Sequence, residues 1–152
     1  MDKQPTSRYC FLCGEENPVG LKMQWENDRK MNRVIGKVTV PEHFNGYPGV
    51  VHGGIVATIL DETAGRAVLL NDPMNLMVTI KLDIAYKQPT PTETELTVIG
   101  KARRETSRRA MVEGEIVLPD GTVTATCNAI VVKPPDEFKA SWEEEKKYWK
   151  VR

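Results

Sequence analysis

The spacing of apolar residues changes period twice along this chain. Apolar and polar residues alternate in two stretches before residue 41 and in four stretches from residue 77 onward, which is typical of strands with one buried face. The predicted strands are 21–25, 34–40, 77–86, 95–101, 110–118 and 122–132. Between the two groups, apolar residues from Gly53 to about Leu70 recur at steps of three and four, which predicts one long helix.

Residues that favour turns separate these elements. Clusters of glycine, proline, asparagine and aspartate interrupt each apolar pattern, because they suit backbone conformations that helices and strands exclude. The predicted turns and loops are 27–30, 41–49, 71–73, 104–107 and the hairpin at 119–121.

This element order predicts a single α+β domain. Four successive antiparallel strands need a cover for one face, and only the central helix is long enough to supply it. We therefore expect an antiparallel sheet wrapped around one helix over residues 21–133, after a loop-like segment at 1–20. Residues 134–152 form a charged tail in which Phe138, Trp142 and Trp149 are spaced as in a short amphipathic helix.

The amino-acid composition limits the kinds of partner that we expect this chain to bind. The chain of 152 residues carries 21 Lys and Arg against 21 Asp and Glu, so its net charge is zero. A nucleic-acid partner is not expected, because such binding relies on a positive field. No apolar run is long enough for a membrane span, and residues 1–5 have no apolar signal region, so we expect a cytoplasmic protein with no membrane partner.

The three cysteines, Cys10, Cys13 and Cys127, do not suggest a disulfide framework. Cys10 and Cys13 have the spacing of one half of a zinc site, but the chain holds no second CxxC and no HxxxH. We favour a structural pair over a metal site and place a redox pair last. No metal and no cofactor are expected.

The candidate functional residues lie in His52-Gly53-Gly54 and in the predicted helix that follows. Glycines let the backbone approach a ligand closely, and the N–H groups at a helix start can hold a group that develops negative charge, such as a thioester oxyanion. Asp61 adds a carboxylate on a helix that is otherwise apolar on that side. These features favour acyl chemistry.

With these motifs the chain resembles the hotdog fold of acyl-CoA thioesterases, in particular the phenylacetate-degradation thioesterase group. The resemblance runs from about residue 10 to 132. An acid nine residues after the histidine of HGG and a threonine eighteen residues further on make it specific. Its markers are Cys10-x-x-Cys13-Gly14, Asn17-Pro18-Val19-Gly20-Leu21, Pro48-Gly49-Val50-Val51-His52-Gly53-Gly54, Asp61, Val78-Thr79 and Tyr86-Lys87-Gln88-Pro89.

The resemblance implies roles for the residues around the glycines. Asp61 matches the catalytic acid, as nucleophile or as the general base that activates water. Gly53, helped by Gly54, would direct its N–H at the thioester oxygen. Thr79 matches a position that orients the attacking water or the acid, and Glu62 is a second-choice acid that points about 100° away around the helix.

Two further residues near the motif, Asn45 and His52, are candidates for roles in relatives of this fold. Some relatives place a water-positioning asparagine before HGG, and Asn45 lies one residue further from the histidine than that residue. His52 would be the catalytic base in a hotdog dehydratase, but just before a helix start it can instead bond the backbone and fix the turn, which is the interpretation we favour.

Helix geometry predicts a shared site. Gly54 and Asp61 are seven residues apart, or about 10 Å along a helix, whereas a thioester carbon needs both within about 3–4 Å. Two antiparallel helices across a two-fold axis meet this requirement, so we expect a homodimer with two composite sites and the acyl group in a channel between subunits. A tetramer built from such dimers remains open.

The basic cluster Lys101, Arg103, Arg104, Arg108 and Arg109 is either a solvated surface or a contact for the phosphates of coenzyme A. We interpret Trp142, Tyr148 and Trp149 as packing or assembly anchors. The expected function is acyl-CoA hydrolysis. The alternatives are a hotdog 3-hydroxyacyl thioester hydratase or dehydratase, and a non-catalytic acyl-CoA-binding domain.

Overall fold

A computed structural model describes residues 1–152. One antiparallel sheet has the strand order β1-β2-β3-β5-β6-β7-β4. Its strands are β1 (Asp2–Lys3), β2 (Gln24–Asp28), β3 (Arg33–Thr39), β4 (Val78–Tyr86), β5 (Glu95–Glu105), β6 (Arg109–Val117) and β7 (Val123–Val132). The helices are α1 (Gly53–Gly65) and α2 (Phe138–Glu145), with 3-10 turns at Glu42–Phe44, Arg66–Leu69 and Lys146–Tyr148.

The predicted architecture is confirmed: the sheet wraps around α1. The buried residues of α1 are Val56, Ile59, Leu60, Thr63 and Ala64. The helix lies so close to β5 that a Cβ on Gly100 would come 2.2 Å from the carbonyl oxygen of Thr63. Trp25 on β2 donates its indole N–H to the Thr63 hydroxyl at 3.0 Å, which pairs a polar group inside the core.

Several element boundaries differ from the prediction. β2 begins at Gln24 rather than at residue 21, and the two-residue β1 lies inside the segment predicted as loop. The turn predicted at 104–107 falls at 106–108, because β5 continues to Glu105 past an irregularity between Ala102 and Arg104. Helix α1 ends at Gly65 and continues only as a 3-10 turn to Leu69.

The two ends of the chain pack against the C-terminal end of α1. Arg66, which is 2% exposed, donates to the carbonyl oxygen of Pro5 at 2.8 Å. Leu12 and Cys13 are buried in the core, and Thr6 pairs with Lys150. The N-terminal segment and the tail therefore enclose one side of this helix end.

None of the helices combines the length and the apolar composition that crossing a bilayer requires.

Candidate active site

The start of α1 is fixed by a side-chain cap. His52 is the N-cap residue, and its Nδ1 accepts the N–H of Gly54 at 2.9 Å. Tyr86 at the end of β4 donates its hydroxyl to the carbonyl oxygen of Gly53 at 2.7 Å. The N–H of Gly53 has no acceptor in the structure.

This geometry separates the roles of the two glycines. Because the Gly54 N–H is directed to His52, the expected help of Gly54 with an oxyanion is not available in this conformation. The N–H of Gly53 can still donate to an oxygen that develops negative charge. His52 makes the contact that a turn-fixing role requires.

Asp61 is joined directly to Thr79. The Thr79 hydroxyl donates to Asp61 Oδ1 at 2.8 Å, across the contact between α1 and β4. The pairing of β4 with β7 shifts between Thr79 and Lys81, and such a bulge can re-aim a side chain. One carboxylate oxygen is therefore held in place while the other stays available.

Gly53 and Asp61 do not meet within one chain. They are eight residues apart on the same helix, which corresponds to about 12 Å at 1.5 Å per residue. A reacting carbonyl cannot contact both groups of one α1.

A cleft of about 500 Å³ opens beside Asp61 and Thr79. This size is ordinary for a small-molecule site. Its apolar wall comes from the 3-10 turn after α1, from the segment before β4, from β7 and from the tail: Val68, Leu69, Leu76, Met77, Val131, Trp142 and Trp149. Trp142 and Trp149 also pack edge to face at 5.8 Å, so the two anchors predicted from the tail also line the cleft.

The polar end of the cleft contains a cluster that the sequence interpretation missed. The sulfurs of Cys10 and Cys13 and a carboxylate oxygen of Glu62 all lie within 4.8 Å of one another. In the sequence, only the CxxC spacing of Cys10 and Cys13 pointed to this cluster. The third member of the cluster, Glu62, comes from α1. Successive helix residues are rotated by about 100°, so Glu62 points away from Asp61 and toward the N-terminal segment.

The pKa values of all three groups in this cluster are shifted from their ordinary values. A hydrogen bond from the Cys10 thiol, with further attraction from Arg66, lowers the pKa of Cys13 to about 5. The same hydrogen bond raises the pKa of Cys10. Burial raises the pKa of Glu62, although its ion pair with Arg66 at 3.1 Å opposes that rise.

Asn45 lies away from this cleft. Its side-chain amide donates to Glu42 Oε1 at 2.7 Å, and the same oxygen accepts the Gly49 N–H at 2.9 Å. Asn45 is not among the residues that line the cleft. In this conformation it organises the loop before α1.

The basic residues divide into two sets. Arg103 is paired with Glu113 at 3.0 Å, and together with Arg104 it lines a separate groove of about 310 Å³. Arg108 and Arg109 are exposed at the β5–β6 turn. Arg109 on β6 pairs with Val132 on β7, and Val132 in turn pairs with Val78 on β4. Val78 precedes Thr79, so Arg109 lies two strands, or about 10 Å, from the residue beside Thr79.

The comparisons with known proteins give one family. Residues 48–125 match the thioesterase superfamily model, a range that holds the HGG motif, Asp61 and Thr79. This chain belongs to the thioesterase superfamily.

A curated relative of this chain is named as a thioesterase. It is 33% identical over 138 residues to acyl-coenzyme A thioesterase THEM4 of Rattus norvegicus, a match that covers 90% of this chain and 59% of the rat protein. The chain thus spans less than two thirds of that relative.

Solved structures agree on the fold. A thioesterase superfamily crystal structure aligns with a TM-score of 0.75 and 30% identity, covering 83% of this chain and 61% of that one. The E. coli PaaI protein from the phenylacetic acid degradation operon aligns with a TM-score of 0.64 and 18% identity over 76% of this chain and 81% of its own. The predicted hotdog fold is confirmed.

Proposed function

We propose that this chain is an acyl-CoA thioesterase that hydrolyses an acyl-CoA thioester to a free acid and coenzyme A. The observation that carries the proposal is the hydrogen bond from Thr79 to Asp61, at the edge of an apolar cleft. The name of the rat relative and the family of this chain support the same reaction.

In the proposed reaction Asp61 acts as general base. Its carboxylate takes a proton from water, and the water oxygen attacks the thioester carbonyl carbon. The N–H of Gly53 stabilises the negative oxygen of the tetrahedral intermediate. Collapse of the intermediate breaks the carbon–sulfur bond, and the thiolate of coenzyme A leaves and takes up a proton.

We place each site between two subunits. The separation of about 12 Å between Gly53 and Asp61 exceeds the reach of one thioester, so Gly53 of the partner subunit would complete the site. β4 is an edge strand of nine residues, with Ile80 59% exposed and no strand beyond it. Such an edge can pair with another chain, and antiparallel pairing of two β4 strands would bring two α1 helices together.

The cleft gives the acyl group a place within one chain. Its apolar wall lies next to Asp61, so this proposal replaces the expected channel between subunits with the cleft under the tail. The exposed Arg108 and Arg109 suit the phosphates of coenzyme A, since guanidinium groups bind phosphate oxygens in pairs. Arg103 is less suited because Glu113 already pairs with it.

The test is thiol release from a panel of aryl-, short- and medium-chain acyl-CoAs, with wild type beside Asp61→Asn. We expect Asp61→Asn to lower turnover by about 10² or more, as for loss of a general base. Asp136→Asn is the matched control, because that carboxylate is on the tail and pairs only with Lys139. Binding without release from any member of the panel would contradict the hydrolase and favour an acyl-CoA-binding domain.

His52 distinguishes the dehydratase alternative. Asparagine is a good N-cap residue, so His52→Asn keeps an acceptor for the Gly54 N–H but removes the imidazole base. The proposal expects His52→Asn to retain most of the thioesterase activity. A dehydratase would lose its catalytic base in the same variant.

A further inference from the structure

The cluster of Cys10, Cys13 and Glu62 has no part in the proposed hydrolysis. Two of its members come from the irregular N-terminal segment, and the third comes from α1. Their three donor atoms lie within 4.8 Å of one another. Two thiols and one carboxylate form a donor set that suits a thiolate-binding metal.

The distances fit tetrahedral zinc after a small movement. With Zn–S bonds of about 2.3 Å, two ligand sulfurs at the tetrahedral angle are about 3.8 Å apart. A separation of at most 4.8 Å therefore requires a contraction of no more than about 1 Å. Cys10 is only half-buried, in a segment without helix or strand, so the chain can supply this movement.

Neighbouring groups already support both sulfurs as acceptors. The backbone N–H of Leu12 points at Cys10 Sγ at 3.3 Å. The backbone N–H of Ser7 points at Cys13 Sγ at 3.4 Å. Hydrogen bonds to a charged acceptor stabilise it, so these donors favour thiolate ligands.

Arg66 balances the charge. Two thiolates and one carboxylate carry −3, a divalent zinc ion carries +2, and the guanidinium beside them carries +1, which sums to zero. A neutral set matters because Arg66 is 2% exposed and uncompensated charge is costly inside a protein. Arg66 Nε donates to Oε1 of Glu62, which orients the carboxylate and leaves Oε2 for the metal.

We propose that Cys10, Cys13 and Glu62 bind a zinc ion, with the fourth position open to the cleft. All three residues line that cleft, so water can occupy the open position. The ion ties the N-terminal segment to α1 one residue from Asp61. This site lies outside the hydrolysis mechanism, and it replaces the expectation that the CxxC pair binds no metal.

The experiment measures metal rather than activity. The reduced, chelator-stripped full chain is titrated with Zn²⁺ by calorimetry, and with Co²⁺, whose thiolate complexes absorb light. We expect one ion per chain. Cys10→Ser and Glu62→Gln should each weaken binding by more than about 100-fold, beyond the 10- to 100-fold typical of an outer-shell partner. The control variants are Cys127→Ser for the thiols and Glu95→Gln for the carboxylate, because Glu95 is paired with Lys37 on the surface away from the cleft. Both should bind zinc as wild type does.

Thermal unfolding gives a second readout. Free Zn²⁺ at about 100 times its Kd should raise the Tm by about 5–10 °C, an increase that Cys10→Ser abolishes. Folding of each variant is checked by circular dichroism. No stoichiometric uptake by the folded, reduced chain would overturn the site, and so would uptake that Cys10→Ser leaves unchanged. These results are independent of whether the chain hydrolyses thioesters.

Discussion

Replacing Thr79 with valine removes the hydroxyl that holds Asp61 but keeps the size and the β-branch of the side chain. The lost contact is a hydrogen bond of 2.8 Å to a carboxylate oxygen. Hydrogen bonds to charged groups contribute about 1.5–3 kcal/mol, which corresponds to about 10- to 150-fold in rate. Because Thr79 is exposed, we expect the lower end, a fall in kcat of about tenfold with little change in KM.

The assay is steady-state thiol release, with Thr126→Val as the matched control. Thr126 lies on β7 beside β4, and its hydroxyl makes no hydrogen bond in the structure. Thr126→Val should therefore keep wild-type kcat. Comparison of the two variants separates loss of the Asp61 contact from the general effect of removing a hydroxyl from the sheet.

A double-mutant cycle tests whether Thr79 acts through Asp61. In an Asp61→Asn background, Thr79→Val should have little further effect, because the group it positions is already lost. A positioning role for Thr79 would be excluded if Thr79→Val matched Thr126→Val. The same conclusion would follow if the loss from Thr79→Val were equally large with and without the Asp61 carboxylate.

Three other predictions address the core, the cofactor surface and the thiols. Gly100→Ala should lower the Tm by about 2–12 °C through overpacking against α1, whereas Gly65→Ala, with nothing within 4 Å of its new Cβ, should not lower it; calorimetry would show both. Arg109→Ala should raise KM for acyl-CoA about 2- to 5-fold without changing kcat, less so at high salt, and Lys37→Ala should leave KM unchanged in the same assay. Since the pKa of Cys13 is lowered to about 5, the ultraviolet thiolate absorbance that Cys13→Ser removes from metal-free protein should be nearly equal at pH 6 and pH 8 and fall only below about pH 5. For an ordinary thiol the thiolate fraction would be about 70-fold larger at the higher pH, and the absorbance would rise with it.

The period of the apolar residues was enough to predict the fold. The alternating stretches and the single helical stretch correspond to long strands around α1, because burial on one face imposes those periods. The boundary errors come from features that the period does not carry. The extra length of β5 depends on the irregularity between Ala102 and Arg104, and the end of α1 depends on the change to 3-10 geometry after Gly65.

The candidate site was predictable where its parts are local in sequence. The HGG motif and the acid on the following helix lie within ten residues, and family resemblance supplied Thr79. The polar end of the cleft was not predictable in the same way, since Glu62 meets Cys10 only through tertiary packing. The same applies to the wall formed by Trp142 and Trp149, which depends on how the tail returns to α1.

A shared site between subunits can be tested with two inactive variants. Asp61→Asn removes the base, and Gly53→Pro removes the N–H. Proline is favoured at the first position of a helix, and His52 before it has ψ of 135°, the extended backbone that a residue preceding proline adopts. A Cβ at Gly53 would meet Tyr86 no closer than 3.6 Å, so this variant should fold.

The most direct measurement is the thioesterase activity of the two variants, first alone and then after mixing equal amounts under conditions that exchange subunits. In a random mixture half of the dimers are mixed, and each mixed dimer has one site with an intact Gly53 from one subunit and an intact Asp61 from the other. We expect almost no activity from either variant alone and recovery of about a quarter of wild-type activity on mixing. Absence of recovery, despite mixed dimers seen by native mass spectrometry, would contradict a site shared between subunits.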